Sequence, residues 1–400
     1  MKILIISSRL PRAKGKADSI TVYRIIKHLS QRHDIYLACF YSGTSESQYI
    51  PELKNLCVEV KCIKHNFYAA ATRMFKSLLF DSHMPLQVAF YNSAKMKIII
   101  KEMLNRIKPD ITYSHLIRMA EYIKNDNRVP KILAMQISQT LNYGRMIKNI
   151  GSTFHRILYS IEYNRVLRYE PEITNHYDSC LLISKHDKES LKNHESIQNI
   201  FFSPHGVDVD YYTKKSSPKQ ENAVLFCGVM ETPTNVDAAL FFYAEIFPRI
   251  KNHIPDIKLY FVGKNPPSVI LKIADKDNSV IATGFVEDIR PYYEKIKVGI
   301  DPLRIGAGLQ NKLLVGMSMG QPMVCTSIAN EGIGATAGEH LLVADDPEDF
   351  ARAVVCLLTD AKYASELSNS ARRFVETNWT WESHFEDLES HLISVEKKIS

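Results

Sequence analysis

Short runs rich in β-branched residues alternate with longer amphipathic stretches along this 400-residue chain, and they do so twice. In the first half, residues 3–7, 35–40, 58–63, 111–114, 132–136 and 179–183 read as strands and 19–32 and 93–107 as helices. The second half repeats the scheme at 223–227, 258–262, 280–282, 298–301, 323–326 and 341–343. Strands that are apolar along their whole length must be covered on both faces. The alternation therefore predicts an α/β fold of two doubly wound parallel sheets wrapped by helices. A chain of this length also exceeds one comfortable hydrophobic core, which agrees with two domains. The polar stretch 213–222, ahead of the strand AVLFCG, has the composition of a boundary.

One segment carries chemistry on its face. GAGLQNKLLVGMSMG, residues 306–320, begins with Gly306 and Gly308, places Lys312 four residues further on and continues as a short helix starting near Gln310. Glycines let backbone approach a ligand, and the first turn of a helix offers unpaired N–H groups and a partial positive charge. This is the physics of an anion site. Lys312 shares a helix face with Val315 by three-residue spacing. The segment follows the strand-like VGIDPLR, so it lies at the carboxyl end of a strand, where doubly wound sheets bind their ligands.

Composition excludes several function classes. With 45% apolar and 24% charged residues the chain is globular. The first apolar run reaches Arg9 too soon for the core of a signal peptide and suits a buried strand, and no run approaches a membrane span. Seven cysteines, at 39, 57, 62, 180, 227, 325 and 356, lack CxxC spacing and read as reduced residues of a cytoplasmic protein, not disulfides or zinc ligands. The net charge of +6 divides unevenly: residues 1–200 hold 30 Lys and Arg against 17 Asp and Glu, and residues 201–400 hold 20 against 27. The basic half is either a solvated lysine-rich face or a surface for acidic lipid or a phosphorylated acceptor. Nucleic acid is not expected, because no RNP, KH, zinc-finger or helix-turn-helix pattern accompanies the charge. The absence of GxSxG, of HExxH and of GxGxxG after the first strand argues against a hydrolase, a zincin or a simple dinucleotide oxidoreductase. Asp208 and Asp210 form a DxD, but within a GVD turn it is weak evidence for a metal.

Several linked motifs resemble the family 4 glycosyltransferases. SPHGVDVDYY (203–212), VLFCGVMETPTNVDAALFF (224–242), LYFVGKNPP (259–267), ATGFVEDIRPYY (282–293) and residues 300–333 follow one another in the order of that family's C-terminal domain. MKILIISSRLPRAKGKADS and IEYNRVLRYEPEITNHYDSCLLIS (161–184) resemble its N-terminal half more loosely. The resemblance implies a GT-B fold, two Rossmann-like doubly wound domains facing each other across a cleft. It implies an acceptor-binding domain over 1–200, a nucleotide-sugar-binding domain over 201–380, and a C-terminal helix over 381–400 returning toward the first. It also implies retaining transfer from a nucleotide-diphospho-sugar, with no cofactor and no metal.

Carried over position by position, Gly228 would lie near the diphosphate, and Phe285 and Val286 would flank the base. Arg304, Gly306, Gly308, Gln310, Asn311 and Lys312 would surround the donor sugar and phosphates. His115 would contact the transferred sugar, and Gly15 and Lys16 would form the acceptor-side loop. Arg304 and Lys312 would stabilise the departing diphosphate as fixed positive charge. The family's usual acidic pair, seven residues apart, falls on residues 307 and 315, which are alanine and valine here. Val315 therefore replaces a glutamate expected to hold the donor ribose. The implied partners are the donor, a glycan or lipid-linked acceptor of bacterial surface polysaccharide, and an anionic membrane surface. The implied location is the cytoplasm, peripheral to the inner face of the membrane. A binding-only GT-B protein and a GT-B epimerase are the alternatives, the latter requiring general-base carboxylates the sequence does not single out.

Overall fold

The computed structural model describes residues 1–149, 153–192, 199–214 and 220–398, so residues 215–219 of the polar boundary stretch lie outside the described residues. The chain divides into two compact units, Met1–Pro204 with Phe385–Ser400, and His205–His384.

The first unit is built on seven parallel strands: β1 (Lys2–Ser7), β2 (Asp34–Tyr41), β3 (Glu59–Lys64), β4 (Ile111–His115), β5 (Lys131–Gln136), β6 (Ser179–Leu182) and β7 (Ile200–Phe202). Their order is β3-β2-β1-β4-β5-β6-β7. Ile3, Leu4, Ile5 and Ile6 of β1 are all buried, as a strand covered on both faces requires. Among the helices around the sheet are α1 (Ala17–Leu29), α2 (Phe67–Phe80), α3 (Ala94–Ile107), α4 (Gln139–Asn149) and α5 (Thr153–Thr174). Helix α3 buries Met96, Ile100, Met103, Leu104 and Ile107, one face at helical spacing, and it ends where Lys108 turns left-handed. Glu170 of α5 is buried and accepts the amides of Gln139 (2.5 Å) and Thr140 (3.0 Å), satisfying donors that the start of α4 would otherwise leave open.

The second unit has six parallel strands: β8 (Glu221–Cys227), β9 (Lys258–Val262), β10 (Val280–Ala282), β11 (Ile296–Asp301), β12 (Met323–Cys325) and β13 (Leu342–Val343). Their order is β10-β9-β8-β11-β12-β13. Helices α6 (Pro233–Phe241) and α7 (Asn311–Ser318) lead away from the carboxyl ends of this sheet. The last helix, α8 (Trp381–Lys397), belongs to the first unit from Phe385 onward. There Leu388, Leu392 and Val395 are buried, and Glu389 is bound by His28 (3.1 Å), Arg32 (3.0 Å) and His33 (2.9 Å).

Every strand read from the sequence is present within two residues of its expected bounds. β7 is the one described strand that the sequence reading does not single out. Helix α1 stops at Leu29 where the sequence pattern ran on to residue 32, because Ser30 closes the helix and a turn follows.

Candidate functional site

In the second sheet β8 and β11 are neighbours although β9 and β10 lie between them in sequence, so their following helices depart to opposite sides and open a crevice at the strands' carboxyl ends. Gly228 follows β8, Asp301 ends β11, Asn235 lies in the first turn of α6 and Lys312 in the first turn of α7. The Lys312 ammonium donates to Asn235 Oδ1 (2.9 Å) and Asp301 Oδ1 (3.2 Å) and sits 4.5 Å from the centre of the Phe226 ring. Asp301 is fully buried. Burial raises its carboxyl above the ordinary range, opposed by the charge and hydrogen bond of Lys312. Its Oδ2 has no hydrogen-bond partner among the described residues. Asn235 is oriented by donating to Val229 O (3.0 Å), and glycine at 228 makes room for it, since a Cβ there would lie 2.7 Å from Asn235 Nδ2.

Beside this cluster, Arg304 makes a two-pronged ion pair with Asp237 (2.6 and 3.0 Å) and lies 4.3 Å from the centre of the Phe241 ring. The GAG loop turns at Gly308, whose φ of +75° favours glycine, and it is braced by Gly332, where a Cβ would meet Gly308 O at 2.1 Å. Gln310 takes the capping position of α7 without a side-chain hydrogen bond to the first-turn amides. Asn311 is exposed next to it. Val315 lies one turn along from Lys312 and is 8% exposed. Phe285, exposed, and Val286 follow β10, the edge strand two places from β8. The structure thus gathers Gly228, Gly306, Gly308, Gln310 and Lys312 at the carboxyl ends of β8 and β11, and sets Phe285 and Val286 at the sheet's margin. Both Arg304 and Lys312 are already paired with carboxylates. The pairing holds each cation in place and reduces the net charge they present.

The first sheet has its own reversal of order between β1 and β4. His115 ends β4 directly opposite Ser7. Arg9 donates to both oxygens of Asp18 (2.7 Å each), and Arg118 donates to Asp18 Oδ2 (2.7 Å) and to Ser8 Oγ (2.9 Å) while covering the Tyr91 ring. Burial raises the Asp18 carboxyl, but Arg9 and Arg118 outweigh it and hold it below the usual range. His115 is 1% exposed, and both ring nitrogens are closed to solvent with no partner among the described residues. Burial pushes its pKa down to about 4, with Asp18 opposing and Arg118 adding, so it is neutral at pH 7. The next residue, Leu116, has φ +74°, a conformation costing about 1–3 kcal/mol for such a side chain. Gly15 and Lys16 lead into α1, with Lys16 exposed at its capping position. Asp208 accepts the amide of Tyr211 (3.0 Å), the role expected of a turn residue.

Sequence reading did not single out Asn235, Asp237 and Asp301, nor Arg9, Asp18 and Arg118. For Asp301 a signal was visible: an acid closing the otherwise apolar run VGID, where a buried strand meets its loop.

A family model described as "Glycosyl transferases group 1" matches residues 221–360, the stretch holding Gly228, Asn235, Asp301, Arg304 and Lys312. An uncharacterized 44.6 kDa protein in the cps region of Klebsiella pneumoniae is 25% identical over 406 residues, covering 97% of this chain and 98% of that protein. Among solved structures, sucrose-phosphate synthase from Thermosynechococcus elongatus is similar with a TM-score of 0.73 at 14% identity, covering 98% of each chain. HepE from Anabaena, in complex with UDP-glucose, is similar with a TM-score of 0.66 at 12% identity, covering 98% of this chain and 100% of that one. Residues 221–360 therefore match the group 1 glycosyl transferases, in a chain whose two doubly wound units have the GT-B fold.

Proposed function

We propose that this chain is a retaining, metal-independent glycosyltransferase, moving a sugar from a nucleotide-diphospho-sugar to a glycan or lipid-linked acceptor in bacterial surface polysaccharide synthesis. The observation that carries the reading is Lys312, held by Asp301 and Asn235 in the first turn of α7 beside the GAG loop. As the bond from the anomeric carbon to the diphosphate oxygen breaks, negative charge grows on the leaving group. A cation already fixed in position stabilises that charge without reorganising, and Arg304 and the α7 amides with no side-chain cap add to it. The acceptor hydroxyl forms the new bond on the face that the leaving group vacates, and its proton passes to the departing phosphate oxygen. In this reading the base lies near Phe285 and Val286, the ribose near Val315, and the phosphates near Gly228, Gly306, Gly308, Gln310 and Asn311. Gly15 and Lys16 line the acceptor side, and His115, neutral and with both ring nitrogens closed to solvent, would reach the transferred sugar only on a rearrangement that uncovers its ring. The Anabaena relative holds UDP-glucose, which supports a nucleotide-sugar as the donor class.

A panel of nucleotide-sugars in thermal unfolding tests the reading. The true donor at a hundred times its dissociation constant should add about 2.7 kcal/mol to stability, and the radiolabelled donor should then pass its sugar to an acceptor in membrane extract. No stabilisation by any donor sinks the proposal, and binding without transfer favours a binding-only protein. Val315 is what recommends that second reading, because valine cannot accept the hydrogen bonds a glutamate would take from ribose. Val315→Glu is expected to tighten donor binding by about 1.5–3 kcal/mol, at some cost to the free protein because the carboxylate is nearly buried. Calorimetry decides: unchanged affinity separates Val315 from the ribose, and transfer gained only in the variant marks the natural chain as binding-only.

A further inference from the structure

Cys39 and Cys62 occupy the same row of two adjacent strands. β2 and β3 run parallel with Cys39 opposite Cys62, and β3 is the edge of the first sheet. Side chains alternate along a strand, so with Phe40 and Ile63 in the core on one face, both cysteines point to the other. There the two sulfurs lie 3.5 Å apart. Neighbouring strands stand about 4.8 Å apart, inside the roughly 4.4–6.8 Å that a disulfide spans between Cα atoms, so the sulfurs can close to about 2.05 Å with little movement of either strand. The two thiols are not equivalent, since Cys39 is fully buried and Cys62 is partly exposed. The hydrogen bond with Cys39, aided by the charge of Lys54, holds the Cys62 thiol below its ordinary range against the effect of burial. The same hydrogen bond, together with burial, holds Cys39 well above that range. Cys62 is thus the sulfur that an oxidant meets as a thiolate, and Cys39 the one placed to attack second. A third thiol, Cys57, follows the helix Ile50–Leu56, and burial pushes it up to about 12.

We propose that Cys39 and Cys62 form a reversible disulfide when a peroxide reaches Cys62, stapling the edge strand of the first sheet to its neighbour. The Cys62 thiolate attacks a peroxide oxygen, the O–O bond breaks, and the hydroxide that leaves is protonated to water, giving Cys62 as a sulfenic acid. The Cys39 sulfur then attacks the Cys62 sulfur, the S–O bond breaks, and hydroxide departs with the Cys39 proton as a second water. In all, two thiols are oxidised to one disulfide and one peroxide is reduced to two waters, and exchange with a dithiol reverses the step. The segment closed by the bridge carries Glu46, which pairs with Arg12 (3.6 Å) shortly before Gly15, and Glu52, which accepts the hydroxyl of Tyr23 in α1. The oxidised form therefore restrains the residues that brace α1 and the turn leading into it. The inference rests on the strand pair and not on the donor reading.

Hydrogen peroxide added to the reduced full chain, followed by thiol counting in denaturant and a non-reducing peptide map, tests it. The seven thiols are expected to fall by two, with Cys39 and Cys62 joined in one peptide pair and the count restored by dithiothreitol. Oxidation should also slow amide exchange in β3 about tenfold or more, because the closed loop restricts the opened state. Cys62→Ser should abolish both changes, and Cys39→Ala should leave Cys62 as a sulfenic acid that dimedone traps. Should the buried Cys39→Ala variant fail to fold, the wild-type peptide map still decides. Seven thiols that survive peroxide, a bridge through Cys57, a dimer joined through the exposed Cys356 in place of the internal pair, or unchanged exchange in β3 once the bridge is mapped would each overturn the inference.

Discussion

Lys312→Ala is expected to lose both stability and turnover, through two separable effects. Asp301 is fully buried and Lys312 is its only charged partner within hydrogen-bond reach among the described residues, so the alanine variant leaves an uncompensated carboxylate in the core of the second unit. Breaking a buried pair in this way costs about 3–5 kcal/mol, read as a shift in the urea midpoint. If Lys312 also stabilises the departing diphosphate, the barrier to transfer rises by about 2–4 kcal/mol. Combining Lys312→Ala with Asp301→Asn separates the effects, since a neutral side chain at 301 has no charge to strand. The double variant should regain most of the stability and little of the rate. Recovery of both would reduce Lys312 to the counter-ion of Asp301 and remove it from the chemistry.

The second large effect concerns acid. His115 is buried, with its folded pKa pushed down to about 4 from an ordinary 6.5, so the folded state binds fewer protons than the unfolded one between those values. The stabilisation that comes from keeping this imidazole neutral is therefore fully present above pH 6.5 and is lost as pH falls toward 4, an amount of about 3 kcal/mol. His115→Leu should leave stability at pH 7 unchanged or raised, because both ring nitrogens are buried without a protein partner. It should also flatten the acid slope of the denaturation midpoint between pH 6.5 and 4. Glu170, pushed up to about 7 chiefly by burial, works with the opposite sign, its contribution fading as pH rises from 4.5 to 7. Only the difference between wild type and the His115 variant therefore reports on His115. Equal slopes in the two proteins would show that the imidazole is not held neutral. A transfer rate that survives His115→Leu would remove it from the sugar's surroundings.

The doubly wound architecture was legible because a strand buried on both faces leaves an uninterrupted apolar run, as in β1, where Ile3, Leu4, Ile5 and Ile6 are all buried, and because such runs alternate with helical stretches in both halves. The local form of the GAG segment was legible for a related reason: a positive φ at Gly308 and a helix start without a side-chain cap are local requirements, written in consecutive residues. What sequence order concealed is anything assembled from distant positions. Asn235, Asp301 and Lys312 meet because β8 and β11 lie side by side, a consequence of strand order and not of spacing. The sequence also marked Lys312 and Arg304 as cations, but only the tertiary structure pairs them with Asp301 and Asp237. Helix α2 carries apolar residues at helical spacing, but the side to which they turn is not written in that spacing. Helical spacing specifies one apolar face, and the packing of Ala70 and Ser77 against the unit decides that this face looks outward.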